Sequence, residues 1–339
     1  PLGAVHDAQA APGRFPLVVH DHGGSSAGAD FQRVAQLPLH EIMASHGFVT
    51  VVALHSANAV TRVRDLSLVI DILLARSADA GDLLSDSIDP DRIGISGHSS
   101  GGAAAIGAAA GWTANGIVAD SRIKAMLLYE PASQYSLDDA STMTVPYLVM
   151  GGLQSRNGLA VPTLFDATVD ATPRIYVQSP NATHFNYLTG MGSEIDQTRE
   201  QALSADPGIP EPLTVLSSTN AAAARAFALW NQGQILFPVL GVGAGSGRNF
   251  CDRVGVNSIR SLDADGDGFT DYPPFRAGGV DLPYTPQPAI PEEIMVPMIK
   301  LYTVAFWKAF LEGDRRYMEY LTPGYAKQND LEATVEIEP

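Results

Sequence analysis

The sequence predicts an α/β fold: a mostly parallel central sheet flanked by helices. Three observations predict it. Short apolar runs rich in Val, Ile and Leu alternate with segments whose apolar residues recur at helical spacing. Several of these runs are apolar throughout rather than at every second residue, as strands buried on both faces are. A glycine-rich turn, Gly97-His98-Ser99-Ser100-Gly101, leads from one such run into a small-residue helix.

The elements follow in order. Residues 15–19 read as a strand, 31–45 as a helix and 48–54 as a strand. Between residues 61 and 76, Leu66, Val69, Ile70, Leu73 and Leu74 lie at helical spacing. A strand over 91–96 precedes the glycine-rich turn, and a helix over 103–112 follows it. Strands are expected at 123–129 and 145–150, a short helix near 162–169, and a last strand at 174–178.

From Gly190 to about Pro291 the rhythm gives way to Gly, Pro, Ser and Asn, with one helix expected at 220–229. About a hundred residues without strand–helix alternation is too long for an ordinary loop. The segment therefore reads as an insertion packed on the sheet's upper edge. An amphipathic helix over 291–311, carrying Ile294, Met298, Leu301, Val304, Ala305 and Phe306, restores the pattern. The expected organisation is a core over 1–189, a cap over 190–290, and a C-terminal helix completing the core with a tail over 291–339.

Composition limits the function. The chain has 339 residues, with 37 acidic against 21 basic side chains and a formal charge of −16. Such a surface repels nucleic acid and anionic membranes. The lone cysteine, Cys251, allows neither an intrachain disulfide nor a cysteine-built zinc site. The longest uncharged run, 93–119, is broken by Gly97, His98, Ser99, Ser100, Gly101 and Gly102, and so does not read as a membrane span. Residues 1–13 have neither the cationic start nor the apolar core of a signal peptide.

The chemistry centres on Gly97-His98-Ser99-Ser100-Gly101, a G-x-S-x-G segment with a strand before it and a helix after it. Glycines at the outer positions let the backbone bend sharply, lifting Ser99 above the sheet at a helix N-terminus. A serine nucleophile needs a base. Of eight histidines, His184 lies in the loop after the last strand, where the order Ser…acid…His puts it. His98 points away from the substrate side; His6, His40, His46 and His55 read as structural or solvated.

The acid is expected at Glu130, at the end of the strand 123–129, one strand nearer Ser99 than the commoner place, where the loop 151–157 holds no carboxylate. There it would hold the imidazole tautomer and stabilise the imidazolium. The competing reading is a solvated strand-end glutamate, with Asp166 and Asp170 as fallback acids. The oxyanion needs two amides: one from Ser100, the other from the turn 20–25. His20-x-His22 could instead be half of a metal site, but no third ligand stands at a recognisable spacing.

These segments resemble the platelet-activating-factor acetylhydrolase and chlorophyllase-like branch of the α/β-hydrolases. The likeness is carried by Phe15-Pro16-Leu17-Val18-Val19 leading to His22-Gly23, by Ala44-Ser45-His46-Gly47-Phe48, and by residues 91–102. It spans roughly 11–188 and the helix around 305–314. It implies an α/β-hydrolase fold, an acid after the strand that follows the elbow helix, as at Glu130, and a second oxyanion amide at Gly24. It also implies two further strands ahead of Phe15. The chain departs from the pattern in having Glu where Asp is usual, and in the long insertion.

The insertion carries its own motif. Asp263, Asp265, Asp267 and Asp271, with the Phe269 carbonyl and Gly266 at the turn, match D-x-D-x-D-G-x-x-D, an EF-hand-like calcium loop. The twelfth position is Pro274 instead of Glu, so ligands from elsewhere would complete the shell.

Together these features give an expected serine carboxylic ester hydrolase with a Ser99–His184–Glu130 triad, an acyl-enzyme and structural Ca²⁺. The substrate would be a small-molecule or polymeric ester. A calcium loop of extracellular type, an acidic surface and a single cysteine favour a secreted or periplasmic protein. Two other readings stay open: a lipase or cutinase-like polyester hydrolase, and a catalytically dead hydrolase fold serving as a calcium-dependent binding protein.

Overall fold

A computed structural model of the chain describes residues 11–23, 29–54, 58–133, 135–152, 160–180, 182, 186–187, 275–277, 280–282, 290, 292–330 and 332–338. Strand β1 (Phe15–Asp21) leads to helix α1 (Ala29–Ser45), β2 (Val49–Ala53) and α2 (Ala59–Ala78). Next come β3 (Ile88–His98), α3 (Ser100–Ala110), β4 (Ile123–Tyr129) and the short α4 (Leu137–Ser141). β5 (Tyr147–Gly152), α5 (Ala160–Ala167) and β6 (Arg174–Ser179) complete the alternating part. A small ladder, β7 (Phe275–Ala277) with β8 (Val280–Leu282), precedes α6 (Glu292–Phe310), α7 (Pro323–Asn329) and β9 (Thr334–Glu338).

The main sheet has seven strands in the order β2-β1-β3-β4-β5-β6-β9. Its first six are parallel, and β9 runs antiparallel to β6, Val177 facing Val335. The expected α/β architecture, a mostly parallel sheet flanked by helices, is therefore present.

The pleat explains why the strands are apolar throughout. Leu17, Val19, Met126 and Leu128 point to one face, where they pack with Leu66 and Ile70 of α2 and Ile106 of α3. Val18, Ala125, Leu127 and Tyr129 point to the other, against Met43 of α1 and Tyr302, Phe306 and Trp307 of α6. Two pairs of buried hydroxyls bond to each other: Tyr129 with Thr303 at 2.8 Å and Tyr147 with Thr168 at 2.6 Å. Such pairing avoids the cost, about 1–3 kcal/mol, of an unsatisfied buried polar group.

Several boundaries differ from the sequence reading. β1 continues through His20 and Asp21, and β3 starts at Ile88 and runs to His98. α3 begins at Ser100, not residue 103, so it grows directly out of the turn. The tail is not a plain extension: it holds α7 and the edge strand β9. The ladder β7–β8 gives the expected irregular segment one piece of regular structure. The helix expected at 220–229 lies outside the described residues. Among the described residues, no helix is long and apolar enough to cross a membrane.

Candidate active site

Ser99 sits between β3 and α3 as the N-cap of that helix, with φ 57° and ψ −121°. L-residues seldom adopt this conformation, and it costs about 1–3 kcal/mol unless neighbours enforce it. They do. The Ser99 amide donates to the Tyr129 carbonyl at 3.0 Å, and the Ser99 carbonyl accepts from Ala132 at 2.8 Å and Ala103 at 3.2 Å.

The outer glycines are sterically required. A side-chain carbon at Gly97 would lie 2.6 Å from the Gly102 nitrogen and would overlap Gly101. One at Gly101 would lie 2.6 Å from the His22 carbonyl oxygen and would overlap Asp21. The turn is thus pressed against the end of β1. Ser99 is buried, and the free amides and dipole of α3 begin at its position.

Glu130 follows β4 directly and is fully buried, so the competing reading of a solvated strand-end glutamate is set aside. Its backbone is also left-handed, φ 47°. Its amide donates to the Met150 carbonyl at 2.9 Å, and its Oε1 accepts from the Gly152 amide, a charge-assisted bond across to β5. A side-chain carbon at Gly152 would overlap the Ala182 carbonyl, so the chain after β6 comes down beside the same carboxylate. Tyr187 is close as well: burial first, and then the Glu130 charge, push its phenol well above the ordinary range. Asn186 ties this stretch to the start of α6 by donating to the Ile290 carbonyl at 3.2 Å. The fallback acids Asp166 and Asp170 are exposed on and after α5, away from this buried cluster.

His20 belongs to β1 rather than to a turn, and it faces the α1 side. Its Nδ1 lies 2.8 Å from Ser96 Oγ, and its ring meets His40 edge-on at 5.1 Å. Burial, followed by the nearby His40 and His98, holds its pKa well below the ordinary value, so it stays neutral. His98 is buried on β3. His22 is buried and donates from Nδ1 to the Gly23 carbonyl at 2.7 Å.

One residue of this cluster escaped the sequence reading. Arg62 of α2 is buried, 2% exposed, and its Nε and Nη2 grip both oxygens of the fully buried Asp21 at 3.0 and 2.6 Å. Nη2 also donates to the His22 carbonyl, and Nη1 donates to Ser100 Oγ at 3.1 Å. A hint was present. Arg62 precedes Leu66 and Ile70 by four and eight positions, on the buried stripe of its helix. A charge on such a stripe requires a buried partner.

The structure therefore brings together Ser99, Ser100 and Glu130. His184, Gly24, and the loop residues Asp263, Asp265, Asp267, Phe269 and Asp271 lie outside the described residues. Among the described residues, no three His, Cys, Asp or Glu side chains are grouped to hold a metal ion. No protein-family model matches this chain. No curated protein matches it either.

Proposed function

We propose that this chain is a serine carboxylic ester hydrolase built on an α/β-hydrolase fold. The observation that carries this reading is the backbone of Ser99. A serine held at φ 57° and ψ −121° on a strand-to-helix turn, between two glycines that no other residue can replace, is a strained nucleophile with amides at its back. The buried Glu130 carboxylate supports it, beside a stretch that resumes on either side of His184 at Ala182 and Asn186.

In this mechanism Ser99 Oγ attacks the ester carbonyl carbon while its proton passes to His184. The carbonyl oxygen becomes an oxyanion held by the amides of Ser100 and Gly24, each worth about 10²–10³ in rate. Collapse breaks the bond to the alkoxy oxygen, and His184 returns the proton to the departing alcohol. Water, deprotonated by His184, then attacks the acyl-enzyme and frees the acid and Ser99. Glu130 orients the imidazole and stabilises its charged form.

The four aspartates of the loop, with the Phe269 carbonyl, supply hard oxygen ligands suited to Ca²⁺, which would brace the insertion at a distance from the chemistry. This loop, with the −16 charge, favours an exported protein.

A fluorophosphonate probe tests the reading. It should label the wild-type chain at Ser99 and leave Ser99→Ala unlabelled, with short-chain ester hydrolysis lost in the same variant. An unlabelled wild-type protein would point to a dead hydrolase fold.

A further inference from the structure

Resting on the esterase reading above, we propose that Arg62 is the positioning residue of the oxyanion pocket. It ties the end of β1 to Ser100, the first residue of α3, and so keeps the Ser100 amide aimed at the oxygen that becomes the oxyanion.

The guanidinium touches both sides of that pocket. On the β1 side it holds the Asp21 carboxylate through two bonds and the His22 carbonyl through a third. On the α3 side it donates to Ser100 Oγ at 3.1 Å, on the residue whose own amide is the first oxyanion donor. Gly101 brings the two elements into direct backbone contact against Asp21 and His22, and the β1–β3 ladder ends beside it at Asp21 and Gly97, but neither contact reaches the side chain of Ser100. A planar fork with acceptors on both elements adds directional bonds that fix how α3 starts.

The chemistry of the pair also points to orientation rather than stability. Arg62 and Asp21 are 2% and 0% exposed. Two charges so deeply buried forfeit hydration, and well-packed apolar residues of the same volume commonly serve stability as well or better. What apolar residues cannot supply is directional bonds to a carbonyl and a hydroxyl on separate elements.

The test uses the full-length protein with two variants. D21N/R62M removes both charges together, so neither is left buried alone, and R62K keeps the charge without the fork. Thermal midpoint, kcat and KM on a short-chain p-nitrophenyl ester, the pH profile of kcat/KM, and the rate of phosphonate labelling at Ser99 are measured for each. D21N/R62M should melt within a few degrees of wild type. Its kcat and labelling rate should fall about 100-fold, the scale of a misplaced reacting group, with KM and the pH profile nearly unchanged. R62K should fall about tenfold by the same route.

A folded D21N/R62M with wild-type kcat overturns the assignment, as does a loss that tracks the thermal midpoint or falls on KM alone. Should the double variant fail to fold, R62K decides: wild-type kcat in it overturns the assignment, and a selective kcat loss supports it. A wild-type protein that neither hydrolyses esters nor takes the phosphonate overturns the esterase reading and this role with it. An active wild type with an indifferent R62K overturns the Arg62 role alone.

Discussion

Acidification should destabilise this protein through the protonation of a buried histidine. His40 is 6% exposed, and neither ring nitrogen meets a hydrogen-bond partner among the described residues. Burial lowers its pKa from 6.5 to about 4. Facing it is His20, itself held neutral, with His98 and His22 close to His20, and among the described residues no carboxylate pairs with His40. Because the folded pKa lies below the unfolded one, the unfolded chain takes up the proton first. Stability is therefore full above about pH 7 and falls as the pH drops through 6.5 toward 4. A 2.5-unit gap corresponds to about 3 kcal/mol, of which roughly 2 kcal/mol is lost between pH 7 and 4.5. His20 adds to the loss in the same direction. The perturbation is His40→Leu, which removes the titration and two partnerless nitrogens. Urea unfolding followed by circular dichroism at pH 7, 6, 5 and 4.5 gives the two slopes. The variant should be as stable as wild type at pH 7 and should lose about 2 kcal/mol less on the way to pH 4.5. Equal slopes for the two proteins would refute the reasoning.

Two further outcomes are expected. Glu130→Gln should cut kcat by about 10³–10⁴ while leaving the fold intact, and Asp166→Ala and Asp170→Ala should change it little; steady-state kinetics on the three variants would expose a misplaced acid. Chelation should lower the thermal midpoint strongly, since an ion at a hundredfold excess over Kd contributes about 2.7 kcal/mol. Initial rates at low temperature should barely change, and Asp265→Ala should melt early without chelator; an immediate, calcium-reversible loss of activity at unchanged stability would instead put the ion at the chemistry.

Much of the core was legible because its strands are buried on both faces. Ile123–Tyr129 matches its sequence reading to the residue, since the apolar run from Ala125 to Tyr129 is continuous and only the exposed Lys124 interrupts the strand near its start. Boundaries went wrong where polar side chains find private partners. β1 seemed to stop at Val19 because His20 and Asp21 follow, yet Ser96 and Arg62 satisfy them inside the strand. α3 seemed to start after Gly101 and Gly102, which are poor helix formers. Packing overrides propensity there, because only glycine fits against Asp21, His22 and Pro131. β9 was missed although Val335 and Ile337 alternate with Glu336 and Glu338; five residues against an acidic tail are a faint pattern. Of the candidate site, Ser99 and Glu130 could be found from motif and chain order. Arg62 left only the hint of a charge on an apolar stripe, because its partner stands on another element with no fixed spacing.

The pairing of β6 with β9 has a consequence for how this chain can vary. It joins Gln178 to Thr334 and so closes a loop of chain that contains α6, whose Tyr302, Phe306 and Trp307 pack on the sheet, as well as the long stretch of sequence ahead of it. The entropy of closing a loop grows only with the logarithm of its length, about 0.6 kcal/mol for each doubling. Lengthening or shortening the sequence ahead of α6 by tens of residues would therefore shift the closure cost by only about a few tenths of a kcal/mol. In loop-closure terms the sheet is almost indifferent to how much chain is inserted ahead of α6, so the length of that stretch can change while α6 keeps its packing and the turn holding Ser99 stays fixed.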